Sequence, residues 1–127
     1  MAEVKKDLLY AESHEWVQVE DNVATIGISD YAQDQLGDIV YAEAMEVDTE
    51  VEVEDALGSV ESVKMASDIY SPVAGKIIAA NTDLEDEPEQ INDDPYGSWF
   101  VKIEMSDPAD LDKLLSADAY EKFIEGE

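Results

Sequence analysis

The sequence predicts a mainly β fold, an antiparallel sandwich or flattened barrel with short helices over its ends. Two observations carry that prediction. Short runs of β-branched and aromatic residues recur along the chain with turn residues between them. Within one such run Val47, Thr49, Val51 and Val53 alternate with Asp48, Glu50, Glu52 and Glu54, the period of a half-buried strand.

Taken in order, residues 16–19 and 23–26 flank Glu20-Asp21-Asn22 and read as a hairpin with a short polar turn. Ser29 or Asp30 can cap a short helix over 31–36, which Gly37 ends. Residues 39–43 form the next strand, and the alternating run 47–53 follows it. The runs 59–63 and 68–71 suit a pleated surface, whereas 64–67 has little reason to extend. A tight hairpin there carries Lys64 at or near its tip. Pro72 and Gly75 mark a second turn before the strand 76–79. The stretch 83–92 is acidic, contains Pro88 and reads as a loop with at most one or two helical turns. Asp94-Pro95-Tyr96-Gly97 signals a turn, after which Trp99, Val101, Ile103 and Met105 alternate along a strand. Asp107-Pro108 opens a helix whose apolar face is Leu111, Leu114 and Leu115. Ser116 caps a last helix in which Tyr120, Phe123 and Ile124 recur at helical spacing.

With 127 residues the chain is expected to form one domain, 1–127. Such a chain buries roughly 70% of its unfolded surface. It has no cysteine, which excludes disulfides, cysteine metal sites and thiol catalysis by the protein itself. Any thiol chemistry must come from an added group. No apolar run approaches the roughly 18 residues that span a bilayer. Met1-Ala2-Glu3-Val4-Lys5-Lys6-Asp7 lacks the apolar core of a signal peptide and is too acidic for a transit peptide, so a soluble, cytoplasmic protein is expected. The net charge of −26 repels phosphate and argues against nucleic acid as a partner. Disorder is argued against by 45% hydrophobic residues, and no Asp-x-Asp-x-Asp-Gly loop invites calcium. Adaptation to molar salt fits best, since the Debye length at 1 M is only about 3 Å. Thermal melts from low to molar KCl test this, and equal stability at low salt would contradict it.

Lys64 is one of seven basic side chains against 33 acidic ones. An amine on a hairpin tip has a rigid base and a flexible four-carbon stem, which suits a lysine that an enzyme must find and acylate. A solvated turn lysine is the bland alternative. His14 is the only histidine, so a histidine-rich metal site is impossible and a Ser-His-Asp triad would have to use this residue. No Gly-x-Ser-x-Gly elbow accompanies it, and it reads as a structural or turn residue. Glu15, taken alone, reads as a solvated surface acid. Trp99 and the tyrosines read as core.

Glu61-Ser62-Val63-Lys64, Ala66-Ser67-Asp68-Ile69 and Ser71-Pro72-Val73-Ala74-Gly75 resemble the lipoyl-attachment signature of glycine cleavage system H-proteins. Ser13-His14-Glu15-Trp16-Val17 and the run 24–40 resemble the N-terminal half of that family. Asn92-Asp93-Asp94-Pro95-Tyr96-Gly97 and Trp99 resemble its C-terminal half. The likeness extends from about Tyr10 to Tyr120. Three departures stand out: Met65 where the family usually has alanine, a loop before Trp99 one residue shorter, and Ala44-Met45-Glu46 in place of a common Leu-Pro-Glu.

The resemblance implies a lipoyl-domain-like sandwich of the hammerhead type, with short flanking helices and a C-terminal helix. It implies lipoic acid in amide linkage to Lys64, and Glu61 and Gly75 as positions read by the lipoate-attaching enzyme. A tight turn at Gly75 is itself a reason for glycine. The implied role is that of a monomeric carrier rather than an enzyme. It would take the aminomethyl group of glycine from a decarboxylating glycine dehydrogenase (P-protein) to an aminomethyltransferase (T-protein). A dihydrolipoyl dehydrogenase (L-protein) would then reoxidise the arm. The loaded arm is implied to fold into a cleft near Ser13, Glu15 and Asp68, where a carboxylate pairs with a protonated amine and water is excluded. Three other readings stay open: a biotinyl carrier, for which Met65 is one of two expected flanking methionines; a lipoyl donor for 2-oxoacid dehydrogenases; and a free-standing hydrolase, which lacks a nucleophile–base pair.

Overall fold

The computed structural model describes residues 4–125; residues 1–3, which open the segment that reads as neither signal nor transit peptide, and 126–127 lie outside the described residues. In chain order the elements are β1 (Leu9–Tyr10), β2 (Glu15–Glu20), β3 (Val23–Ile28), α1 (Asp30–Leu36), β4 (Ile39–Ala44), β5 (Glu50–Val51) and β6 (Ala56–Ser62). There follow β7 (Ala66–Tyr70), β8 (Gly75–Ala80), α2 (Asp83–Asp86), α3 (Gln90–Asp93), β9 (Val101–Met105), a 3-10 helix (Pro108–Lys113) and α4 (Ala117–Glu125). The strands form two antiparallel sheets, one ordered β1-β2-β3-β9-β8-β5 and the other β4-β6-β7. The fold is therefore the sandwich of the two expected forms, and neither sheet closes into a barrel.

Local chemistry explains most boundaries. The β2–β3 hairpin turns at Asp21-Asn22, with Glu20 opposite Val23 and Asp21 at φ 56°, a conformation aspartate tolerates through its short polar side chain. Ser29 caps α1 by accepting from the Ala32 N–H at 3.2 Å, and Gly37, at φ 82°, ends it by donating to the Gln33 carbonyl at 3.0 Å. Ser116 likewise accepts from the Ala119 N–H at the start of α4.

Several local expectations needed correction, among them the tyrosines as core: Tyr41 and Tyr70 are exposed. The alternating run 47–53 supplies only β5, because Asp48 at φ 78° and Glu54 at φ 74° turn the backbone on either side. Val51 is buried, while Val47 and Val53 are exposed. The segment after Asp107 is a 3-10 helix rather than an α-helix, with Asp110 N–H bonded to the Asp107 carbonyl and Leu114 N–H to the Leu111 carbonyl. Trp99 is half-buried beneath the Lys102 ammonium, 5.2 Å from its ring centre, and the buried strand begins beyond it.

The main core fills the space between the sheets. Val17, Ile26 and Ile103 of the larger sheet meet Ala42, Leu57, Val60 and Ile69 of the smaller, with Leu84, Ile91 and Phe100 closing the sides. A second cluster of Leu8, Tyr10, Trp16, Ala117 and Tyr120 lies under α4. Tyr10 and Tyr120 stack at 4.4 Å, a contact of about 1 kcal/mol beyond simple burial. Tyr10 and Leu115 exchange backbone hydrogen bonds at 2.9 and 2.7 Å, tying the first strand to the end of the chain. No helix among the described residues is long and apolar enough to cross a membrane.

Candidate functional site

The hairpin of β6 and β7 pairs Ser59 with Asp68, Val60 with Ser67 and Glu61 with Ala66. Beyond that ladder the Ser62 N–H donates to the Met65 carbonyl at 2.7 Å, closing the turn Ser62-Val63-Lys64-Met65. The Ser62 hydroxyl accepts from the Lys64 and Met65 N–H groups at 3.2 and 3.1 Å, so one short side chain stabilises both backbone donors. The Val63 N–H donates to the Asp38 carbonyl at 3.1 Å and fastens the tip to the start of β4. Lys64 thus stands on a fixed backbone with an exposed side chain. Lys6 and Lys76 pair with carboxylates, whereas among the described residues Lys64 forms no ion pair.

The Lys64 stem lies over Gly37 at the end of α1. A Cβ at position 37 would sit 3.3 Å from Lys64 Cε and 3.6 Å from Nζ. Next to this point is a cleft of about 280 Å³, lined by Ser13, Glu15, Gln35, Leu36, Ser67 and Asp68 among others. The structure therefore brings Ser13, Glu15 and Asp68 to one cleft, although more than fifty positions separate the first two from the third.

Glu15 is not the solvated acid that composition suggests. It is only 2% exposed. The Ser13 hydroxyl donates to one carboxyl oxygen, and the Tyr70 N–H approaches the other at 3.4 Å. Burial raises its pKa to about 7, against the opposing pull of those two donors. Asp68 stays exposed at the rim. His14, at φ 75°, also lines the cleft, and its Nδ1 lies 2.8 Å from the Tyr120 hydroxyl, which meets Ser29 Oγ at 2.7 Å.

Glu61 and Gly75 stand apart from the cleft. Glu61 is exposed on the outer face of the small sheet, in a groove it shares with Tyr41, Ser59 and Tyr70. Gly75 begins β8, where a Cβ would lie 2.1 Å from the Glu104 carbonyl oxygen and 2.7 Å from Ile103 Cγ2. Its backbone needs the absence of a side chain because β9 passes too close.

Sequence reasoning missed that α1 forms the cleft's edge and that Asn92 braces the backbone just beyond it. Tyr31, Ala32 and Gln35 line it from α1. Asn92 accepts from the Ile39 N–H at 2.8 Å and donates to the Gly37 carbonyl and to Gln33 Oε1, both at 2.9 Å. The available signal was chemical: Asn92 is an amide in a run of acids, and a carboxylate there could not donate.

A pH effect follows from Glu15. Its folded pKa lies above its unfolded value of 4.5, so the folded protein holds an extra proton between about pH 4.5 and 7. Stability from this group is full below that window and is lost as pH rises through it, on the order of 3 kcal/mol in total. Glu15→Gln keeps the shape without the charge: its amide oxygen can still accept from the Tyr70 N–H, while its NH2 donates to the Ser13 hydroxyl, reversing that bond. Denaturant melts at pH 5 and pH 8 should therefore show the variant gaining on the parent at the higher pH. A constant difference between the two proteins would refute the shift.

Residues 8–127 match the family model described as glycine cleavage H-protein. The chain is 55% identical over 128 residues to a glycine cleavage system H protein of Alcanivorax borkumensis, covering all of both chains. It is 53% identical over 122 residues to that of Staphylococcus haemolyticus, covering 95% of this chain and 97% of the relative. The fold superimposes on the crystal structure of a glycine cleavage system H protein from Mycobacterium marinum with a TM-score of 0.88 at 31% identity, covering 98% of this chain and 100% of that one. Family match, near-full-length identity and shared fold all agree: the chain belongs to the glycine cleavage H-protein family.

Proposed function

We propose that this protein is the lipoyl carrier of glycine cleavage, with lipoic acid in amide linkage to Lys64. The observation that carries the reading is an exposed amine, unpaired among the described residues, on a fixed turn beside a cleft. Acylating an amine removes its positive charge, which costs little where no ion pair is lost. The bound lipoyl group supplies a disulfide that is reduced as it takes up the aminomethyl unit of glycine, chemistry that a chain without cysteine lacks.

The chain's own residues hold and shelter. Glu15, poised near neutrality, ionises when a cationic amine enters, and the Ser13 hydroxyl fixes its carboxyl group. Asp68 adds a second carboxylate at the rim, and Ile28, Leu36 and Ile69 give the cleft an apolar wall that discourages water. At about 280 Å³ the cleft lies at the small end of ligand pockets, roughly 300–1,000 Å³, and suits the end of an arm rather than a whole substrate. Glu61, exposed three residues before Lys64, is available to the attaching enzyme, while Gly75 lets β9 pass close to the start of β8.

The partners on this reading are the P-, T- and L-proteins and the lipoate-attaching enzyme. Tethering makes each encounter with a docked active site local and frequent. Residues 1–127 act as one monomeric, cytoplasmic carrier, and its acidic surface keeps it dispersed in high salt. Intact mass with peptide mapping across Lys64, on protein from its native host, tests the proposal. One lipoyl group on Lys64 is expected; biotin there, or a bare lysine in every molecule, would overturn it.

A further inference from the structure

Three short backbone segments meet beneath the Lys64 turn, and one side chain joins them. Residues 37–39 connect α1 to β4 and form a ledge under the turn. The ledge receives the Val63 N–H at the Asp38 carbonyl, 3.1 Å away, and lies against the Lys64 stem at Gly37. The ledge's own backbone has few ties: the Gly37 N–H bonds the Gln33 carbonyl at 3.0 Å, and Ile39 opens β4 opposite Ser62. Gly37, at φ 82°, has no Cβ to restrict it, and α1 has already ended. Stiffness is supplied from α3, by Asn92. Its carboxamide oxygen accepts from the Ile39 N–H at 2.8 Å, and its nitrogen donates to the Gly37 carbonyl and to Gln33 Oε1 at 2.9 Å each. A single half-buried amide thereby grips the ledge at both ends and the last turn of α1 as well.

We infer that Asn92 is a positioning residue for the arm: by clamping residues 37–39 it sets the direction in which the Lys64 side chain leaves the hairpin, over Gly37 and toward the cleft lined by Gln35 and Leu36. Asn92 touches neither Lys64 nor the cleft and acts only through the ledge. The two side chains of most similar shape do not replace it. Aspartate would keep the bond to the Ile39 N–H but set a carboxylate against the Gly37 carbonyl and Gln33 Oε1, and leucine of similar size would satisfy none of the three. The significance of this direction for carriage rests on Lys64 being the lipoyl site; the direction itself does not.

The test compares Asn92→Ala and Asn92→Asp with Ile91→Val, a neighbouring substitution in the buried core that leaves the three bonds of the Asn92 amide in place. The first readout is the nuclear Overhauser cross-peak between the Lys64 ε-methylene and the Gly37 α-protons in the unmodified protein, recorded well below each melting temperature. Parent and Ile91→Val should show it, and both Asn92 variants should lose it. The second readout is glycine decarboxylation by purified P-protein with each lipoylated variant. There Asn92→Ala should fall about tenfold and Ile91→Val should match the parent. A cross-peak kept in Asn92→Ala, with only the melting temperature lowered, would reduce Asn92 to a structural residue and overturn the inference. Should the parent accept no lipoyl group at Lys64, the carrier reading fails and the cross-peak alone decides the positioning role.

Discussion

On the proposed attachment at Lys64, Lys64→Arg should abolish carriage outright while leaving the fold intact. Arginine keeps the charge and the reach, but its guanidinium stays protonated and offers no amine to acylate. The turn should not notice the exchange, because the bonds that build it run from Ser62, Met65 and Val63 to backbone and to the Ser62 hydroxyl, none through the lysine side chain. Stability is expected to stay within about 0.5 kcal/mol of the parent, as for exposed substitutions generally. The measurement is threefold: thermal melting, intact mass after incubation with the attaching enzyme, and glycine cleavage with P-, T- and L-proteins added. Any lipoyl adduct elsewhere that sustained turnover would sink the assignment of Lys64.

Gly75→Ala destabilises the sandwich more than Lys64→Arg or any change confined to the surface. A single methyl at that position would sit 2.1 Å from the Glu104 carbonyl oxygen and crowd Ile103, so β8 and β9 must part locally to admit it. Overpacking in a rigid core costs typically 1–3 kcal/mol, and contact with a neighbouring backbone belongs at the upper end. About 3 kcal/mol corresponds to a fall in melting temperature on the order of 10 °C for a chain of this size. A shift under about 2 °C would show that the strands part freely. The same variant separates two roles for this glycine. Lipoyl attachment measured on the folded fraction at parental rate assigns Gly75 to the backbone alone; a slower rate adds recognition by the attaching enzyme.

Much of the molecule is legible in the order of its residues. The Lys64 hairpin can be read directly, since β-forming residues stand on both sides of a segment unsuited to extend; the Ser62 bonds that close it come only from the structure. The caps at Ser29 and Ser116 follow from side chains that can accept a helix N–H. The alternation at 47–53 misleads because period two says which side chains could face inward, not whether a partner strand lies alongside. β1 is invisible, with two residues being too few for any period. The cleft is legible only through resemblance. Nothing local to Glu15 signals that Tyr70 will cover it, or that its carboxyl will leave water, because its burial depends on a segment more than fifty positions away.

The order of strands in the larger sheet also has a consequence for how the molecule can be made. β9 occupies the interior of that sheet, between β3 and β8, so the local ladder of β1, β2 and β3 is joined to β8 only when residues 101–105 arrive. Tyr10 waits longer still, for Leu115 and Tyr120. The smaller sheet does not depend on the far end, because β4, β6 and β7 all lie within residues 39–70 and pair with near neighbours. On a ribosome, where a chain emerges at roughly 5–20 residues per second, every strand of the lysine hairpin is available well before the sheet that carries Glu15 can close. The turn that presents Lys64 leaves the tunnel complete, whereas the sheet that carries Glu15 gains its central strand only with residues 101–105.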